Sequence, residues 1–282
     1  MNTNTLHYLN GEWVSEDKLL IPARDNAIVR GYGVSEKLRT YRGKPFYLKE
    51  RIERLFMSAA MLSIPLTKTH EEIEGLILEG LKKNSGDWVV QLLLTGGVTD
   101  QPLNPENPNF AIIYLPISPM ASEHYEHGIS IITYPAVRAV PEAKSTDYLT
   151  GMIALQKARE LDGSREVLYI DPQKNHIPAD QKLYEGAVSN FFAMKNGELI
   201  TATDGVLKGI TRLYVLKLAD DLQIPHVERD IFVSEIPDFE EAFMTGTVKE
   251  VLPVVKIDGL DVGDGKVGII TKKLIGEFKK LY

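Results

Sequence analysis

The spacing of apolar residues changes period several times along the first half of the chain. Residues 6–14 and 44–48 read as short strands, with Asn10-Gly11 and Arg42-Gly43 as turn signals. Between 50 and 62, Ile52, Leu55, Phe56, Ala59, Ala60 and Leu62 recur at helical spacing, and Ile64-Pro65 ends the run. A second helix is expected over 70–84, where Ile73, Leu76, Ile77, Leu78, Gly80 and Leu81 keep that period up to Ser85-Gly86. Residues 88–95 and 110–117 are apolar runs rich in β-branched residues, as paired buried strands would be, with a Pro/Asn/Gly loop between them.

Residues 118–128 are polar and irregular and read as an interdomain linker. A strand (129–135), a helix (150–161), a hydrophobic strand (166–171) and a strand pair (187–194 and 198–202) follow. Gly209-Ile210-Thr211 then precedes a strongly amphipathic helix, 212–222, and 243–255 reads as strand, turn and strand. The pattern predicts an α+β protein in two domains, 1–117 and 129–282, with neither internal repeat nor low-complexity tract.

Composition narrows the function. The 282 residues are 44% hydrophobic and 25% charged, the balance of a soluble globular chain with room for a sizeable core. A net charge of −7 and a pI near 5.5 argue against nucleic acid as a partner. The absence of Cys removes disulfides, thiolate metal sites and Cys nucleophiles. The first residues lack a signal pattern and no run approaches the ~18 apolar residues of a membrane helix, so no membrane partner and a cytoplasmic location are expected.

Most motif matches lose their warrant on inspection. Residues 263–268 satisfy G-x-G-x-x-G, but only fourteen residues follow, too few to complete a βαβ unit, so a turn is expected. His124 and His127 lack a third ligand nearby, and no metal site is expected. Nucleophile-elbow, zincin and P-loop patterns are absent. Three weaker features remain. Gly209 and Thr211 mark a helix start whose backbone N–H groups could meet an anion. Thr245-Gly246-Thr247 is a turn able to add donors. Arg54 lies among apolar neighbours, where it is either a salt-bridge residue or a monophosphate clamp.

Six stretches appear in order: 31–39 (GYGVSEKLR), 48–58 with Arg54-Leu55, Ala143-Lys144-Ser145, 184–192 (YEGAVSNFF), 207–212 (LKGITR) and Met244-Thr245-Gly246-Thr247. Together they closely resemble the class IV aminotransferases, the fold-type-IV pyridoxal-phosphate enzymes that include branched-chain aminotransferases, D-amino acid transaminases and aminodeoxychorismate lyase. The resemblance runs from about Leu9 to Leu274 and implies a small α/β N-terminal domain, a larger pseudo-barrel C-terminal domain and a homodimer.

By that resemblance Lys144 is the lysine that bonds to the cofactor, pyridoxal 5'-phosphate. The task needs a neutral amine part of the time, because an ammonium can neither attack an aldehyde nor take a proton from the substrate's Cα. Glu185 matches the carboxylate beneath the pyridine nitrogen; a protonated nitrogen makes the ring an electron sink. Arg54, Gly209, the backbone at Ile210 and Thr211, and Thr247 match the phosphate cradle, where the residues had independently suggested an anion site. Tyr148 corresponds to the tyrosine that hydrogen-bonds the cofactor's phenolic oxygen, at a spacing from Lys144 one residue shorter than in branched-chain enzymes. Ser189 and Asn190 fall with the cofactor-side residues; Tyr32, Arg39 and Gly246 fall on the substrate side.

The branch is read from departures. Arg39 sits where branched-chain aminotransferases carry an arginine able to hold a carboxylate in a planar fork. The threonine-arginine-glycine turn of D-amino acid transaminases is replaced by Thr95-Gly96-Gly97-Val98. Gln91 stands where branched-chain enzymes often have arginine, Arg51 replaces a histidine and Ser35 an aromatic residue. The resemblance therefore implies amino-group exchange between an L-amino acid, branched-chain or otherwise hydrophobic, and 2-oxoglutarate. Lyase-type elimination and D-amino acid transamination are the alternatives on the same fold.

Overall fold

The computed structural model describes residues 5–99, 107–172 and 181–281. The loop expected between the strands at 88–95 and 110–117 lies partly outside them. The chain divides into two compact units, Met1–Ser118 with Ala143–Tyr148, and Pro119–Glu142 with Leu149–Tyr282. The expected division at 117 and 129 differs in two respects. Segment Ala143–Tyr148, which carries Lys144 and Tyr148, clusters with the first unit. The expected linker contains a short helix of the second unit, held because Tyr125 packs on an apolar core and donates its hydroxyl to the Lys249 carbonyl at 3.0 Å.

The first unit is an antiparallel sheet in the order β2-β1-β6-β5-β3-β4. Its strands are β1 (Leu6–Leu9), β2 (Glu12–Ser15), β3 (Gly33–Tyr41), β4 (Lys44–Pro45), β5 (Trp88–Thr95) and β6 (Phe110–Pro116), and its helices α1 (Asn26–Arg30), α2 (Leu48–Met61) and α3 (His70–Lys83). One sheet face buries Val34, Leu38, Val90, Leu92 and Ile112 against Ile52, Leu55 and Ala59 of α2 and Ile73 and Ile77 of α3. Each such aliphatic side chain contributes about 1.5–3 kcal/mol by leaving water, and the helical stripes read from sequence are these contacts. Thr69 caps α3 as its hydroxyl accepts from Glu72 N at 3.2 Å while Glu72 accepts from Thr69 N at 2.6 Å.

One expectation fails here, and one strand was not anticipated. The strand over 44–48 is only the pair Lys44–Pro45, because Leu48 opens the stripe Leu48, Ile52, Leu55 and the chain is helical from that residue. Strand β3 carries Glu36, Lys37, Arg39 and Thr40 and does not read as a strand, yet almost all of it is buried, since its charged residues find partners on both faces.

The second unit is built on strands β7 (Ile129–Pro135), β8 (Val167–Ile170), β9 (Lys182–Gly186), β10 (Asn190–Lys195), β11 (Glu198–Thr201), β12 (His226–Glu228), β13 (Ile231–Phe232), β14 (Glu241–Gly246), β15 (Glu250–Ile257) and β16 (Leu260–Asp261). Strands β10, β14, β15, β7, β8 and β9 pair in that order, and β9 pairs back onto β10 through Glu185 and Asn190. Six strands thus close into a barrel, the pseudo-barrel that the family resemblance implied. Its interior holds Ile131, Leu168, Phe191, Met244, Leu252 and Val254. Helix α4 (Ser122–His127) is the one in the expected linker; α5 (Leu149–Asp162), α6 (Ile210–Asp221) and α7 (Ile269–Lys279) complete the unit. Helix α6 starts two residues earlier than expected, with Gly209 as its cap, and α7 was not anticipated. Glu241 caps α7 by accepting from Ile270 N and Thr271 N at 3.0 and 2.8 Å, an acceptor 29 and 30 residues away that local reading does not find.

Gly80 tests the packing of the first unit. A Cβ there would lie 1.9 Å from Tyr114 Oη and 2.7 Å from a Trp13 ring carbon. Replacing a helical glycine by alanine ordinarily gains about 0.5–1 kcal/mol, but overpacking costs about 1–3 kcal/mol. Gly80→Ala should therefore lower stability and melting temperature, as thermal unfolding followed by circular dichroism would show; a raised midpoint would contradict this packing.

Candidate active site

In the first unit, Lys144 lies on a segment that docks along β3. Val34 bridges Ser145 in antiparallel sense, Ser35 N donates to Lys144 O at 2.9 Å, and Thr146 N to Gly33 O at 2.8 Å. The register sets Lys144 opposite Ser35, and opposed residues of an antiparallel pair project from the same face. Ser58 Oγ of α2 accepts from Lys144 N at 3.1 Å. Lys144 Nζ donates to Tyr148 Oη at 2.9 Å, an amine beside a phenol four residues on. The structure brings together the two residues that the resemblance assigned to the cofactor's aldehyde and phenolic oxygen.

Glu36 faces the other way, into α2, and is wholly buried. Its carboxylate receives Arg54 Nε at 2.7 Å, Arg54 Nη2 at 2.8 Å and Arg51 Nη1 at 3.4 Å. Burial alone would raise its pKa, but Arg54, then Arg51 and Lys144, outweigh burial and hold it below the usual carboxylate range. Burial pushes Arg51 down to about 10 against the pull of Glu36. Arg54, expected in the phosphate cradle, is thus oriented by a two-pronged bond to Glu36. The substrate-side expectations fare differently. Tyr32 gives its hydroxyl to the Leu62 carbonyl, and the Arg39 guanidinium lies 4.7 Å from the centroid of the Tyr41 ring.

In the second unit the geometry turns on a bulge. Ile170 pairs with Leu183 and Leu168 with Gly186, so one extra residue is accommodated in β9 and Glu185 emerges on the face opposite the barrel interior. There it pairs with Asn190, which pairs in turn with Thr245, giving a row across three strands. Glu185 is buried and takes four donors: Arg138 Nε and Nη2, each at 2.8 Å, Asn190 Nδ2 at 3.1 Å and Leu207 N at 3.0 Å. Arg138 is a site residue that the motifs missed, although it lies six positions before Lys144.

Beside this row stands the start of α6. Gly209 caps it without a side chain, and a Cβ on Gly209 would come 2.0 Å from Asn190 Oδ1, so the backbone can approach here only as glycine. The first turn, Ile210 and Thr211, has no side-chain cap for its N–H groups, and Thr245 Oγ1 is buried without a protein partner. Uncapped helical N–H groups and an unsatisfied hydroxyl are a donor set suited to a phosphate. Thr247 follows β14 and Gly246 ends it. Ser189 is committed elsewhere: its hydroxyl donates to buried Glu166 at 2.7 Å, and Glu166 also accepts from Ala187 N at 3.0 Å and from the Lys249 ammonium. Glu166 and Lys249 brace the turn between β9 and β10, a role with no local signature.

The chain is similar to known proteins over almost its whole length. The family model described as amino-transferase class IV matches residues 33–257. The chain is 36% identical to a putative branched-chain-amino-acid aminotransferase of Methanocaldococcus jannaschii, over 97% of this chain and 95% of that protein. It is 31% identical to a D-alanine aminotransferase of Staphylococcus epidermidis, over 97% and 96%. The fold matches that of a branched-chain amino acid aminotransferase from T.th., solved with pyridoxamine 5'-phosphate, with a TM-score of 0.88 at 26% identity, over 98% of this chain and 93% of that one. The chain belongs to the class IV aminotransferases, the fold-type-IV group, and is an enzyme of amino acid transamination.

Glu36 yields a prediction with a definite sign. Glu36→Gln leaves two buried guanidiniums without their counter-charge and should cost about 3 kcal/mol in urea unfolding at pH 7. Because the folded pKa is depressed, the wild-type contribution is complete above the unfolded value of about 4.3 and is lost as pH falls below it. Stability of the wild type should decline through that window more steeply than that of Glu36→Gln; parallel slopes would show that Glu36 is not held as an anion.

Proposed function

We propose that the protein is a pyridoxal-phosphate-dependent aminotransferase that exchanges an amino group between an L-amino acid, branched-chain or otherwise hydrophobic, and 2-oxoglutarate. The observation that carries the reading is Lys144, docked on β3 with its Nζ 2.9 Å from the Tyr148 hydroxyl. The names of the relatives, branched-chain and D-alanine aminotransferases, support a small amino acid as substrate.

The residues fit a phosphorylated pyridine. In the second unit the Ile210 and Thr211 N–H groups and Thr247 would hold the phosphate, with Gly209 permitting close approach, and Glu185 would hold the proton on the ring nitrogen. Arg138, Asn190 and Leu207 N fix that carboxylate in place. In the first unit Arg54 would add a guanidinium to the phosphate, Tyr148 a hydrogen bond to the phenolic oxygen, and Lys144 the attachment point. When bound, pyridoxal phosphate supplies an electron sink for the pair left behind when the substrate Cα loses its proton. Lys144, once its amine is free, takes that proton and delivers it to the acceptor carbon, the Tyr148 hydroxyl keeping the amine oriented.

The choice of L- over D-substrates is supported at Gly96. A Cβ there would stand 2.5 Å from a Tyr32 ring carbon and 2.9 Å from Tyr32 O, so the arginine of a D-specific turn has no place. The named likeness to D-alanine aminotransferases makes the D-reading the one to test alongside. A homodimer, as in the family, belongs to the same proposal, and sedimentation of a fully active monomer would contradict it.

The direct experiment is borohydride treatment of the protein loaded with pyridoxal phosphate, which should fix the cofactor on the peptide containing Lys144; labelling at another lysine would overturn the assignment. Lys144→Ala should abolish turnover. Glu185→Gln should lose about 2–4 kcal/mol of transition-state stabilisation, read as kcat/KM over a donor panel with 2-oxoglutarate and pyruvate. Faster reaction of D-alanine than of L-leucine would reverse the stereochemical reading.

A further inference from the structure

Two turns of the second unit meet at one buried carboxylate. Gly246 pairs with Glu250, so β14 and β15 are joined by a loop of three residues, Thr247, Val248 and Lys249. The turn between β9 and β10 lies against it: the Val188 carbonyl oxygen is 3.5 Å from the place a Cβ on Gly246 would take. Glu166, just before β8 and wholly buried, reaches both turns. Its Oε1 accepts from Val167 N at 3.1 Å and Ala187 N at 3.0 Å, and its Oε2 accepts from Ser189 Oγ at 2.7 Å and from the Lys249 ammonium.

Lys249 is held from two sides. Its ammonium is bound to Glu166, and its carbonyl accepts from Tyr125 Oη of α4 at 3.0 Å. The next residue, Glu250, is buried with a φ of 53°, a left-handed conformation that persists only where the surroundings impose it. A buried ion pair adds little to stability over an apolar pair, but parting it is costly, because a carboxylate without exposed surface is left with no counter-charge. That asymmetry fixes position. Lys249 cannot leave the turn at 186–189 without stranding Glu166, and a loop of three residues cannot shift while Lys249 stays. Thr245, two residues before Thr247, pairs with Asn190, against which Gly209 packs at the uncapped start of α6. Strand β14 therefore leads into this loop from beside the helix start.

Resting on the reading of Thr247 and the start of α6 as a phosphate cradle, we propose that Glu166 and Lys249 are positioning residues for the cofactor's phosphate. They touch neither cofactor nor substrate. They set the loop so that Thr247 is in place before the phosphate arrives, and binding then loses no free energy to ordering it. Lys249 also cancels the charge of Glu166, which would otherwise act against an anion bound beside the loop.

The test compares pyridoxal phosphate with pyridoxal, which lacks the phosphate, by equilibrium dialysis against wild type, Lys249→Met, Glu166→Gln and the double variant. Wild type should prefer the phosphorylated ligand by about a hundredfold or more. Each variant should lose about tenfold in affinity for pyridoxal phosphate, the worth of one charge-assisted hydrogen bond, while its affinity for pyridoxal stays within about twofold. The double variant leaves no isolated buried charge and should remain folded, as circular dichroism would show. Glu166→Gln separates positioning from direct contact: it releases the Lys249 ammonium, which would tighten pyridoxal phosphate binding if that ammonium were itself a phosphate ligand. Tighter binding in Glu166→Gln, equal weakening of both ligands, or a wild-type preference that the double variant retains would each overturn the positioning role alone. No preference for the phosphorylated ligand in wild type would overturn the cradle reading and the positioning role with it.

Discussion

A six-stranded barrel exists only if its last strand finds its first, and here that closure is one antiparallel pair, Glu185 with Asn190. The pairing is made possible by the bulge in β9, which turns Glu185 away from the apolar interior just where the strand must meet β10. A carboxylate in that position would be costly if left alone. Arg138, Asn190 and the Leu207 N–H satisfy it, and Asn190 also donates to Leu207 O at 2.7 Å, which ties the segment leading to α6 onto the barrel. Closing the fold and fixing the carboxylate are one event, so the geometry of this part of the site is guaranteed by the stability of the unit.

The first unit solves a related problem differently. Its sheet buries a charged strand, and the cost is offset by alternation: Glu36 meets two guanidiniums on the helical face while the cations at 37 and 39 project from the other. The edge left along the start of β3 is covered by the segment carrying Lys144, so the amine is held by sheet pairing rather than by a free loop. Backbone hydrogen bonds fix its register, and register fixes which face the lysine shares. The neighbours of Lys144 therefore follow from strand geometry, and Ser35 and Lys37 are among them.

These two devices account for where sequence reasoning failed. Helices α2 and α3 were legible because each buries one stripe at a 3.6-residue period. Strand β3 was not, because ion pairing lets polar residues occupy buried positions and erases the alternation. The start of α7 depends on Glu241, and the turn after β9 on Glu166 and Lys249, partners distant along the chain. Among the site residues, Gly209 and Thr211 could be suspected from local pattern as an anion-binding helix start. Lys144 and Glu185 could be named only from the ordered set of motifs, since an isolated lysine or glutamate carries no local mark.

By itself the sequence determined the α+β class, two units, most helices, the exclusion of thiol chemistry and the family through six motifs in order. Those features are local in chain or carried by residue identity. The tertiary structure decided that Arg54 is gripped by Glu36, that Ser189 serves Glu166 instead of standing free, that Arg138 fixes Glu185, and that Lys37 rather than Arg39 neighbours Lys144. Each of these depends on strand register or a bulge, and a shift of one residue in either would turn the same side chains to the other face.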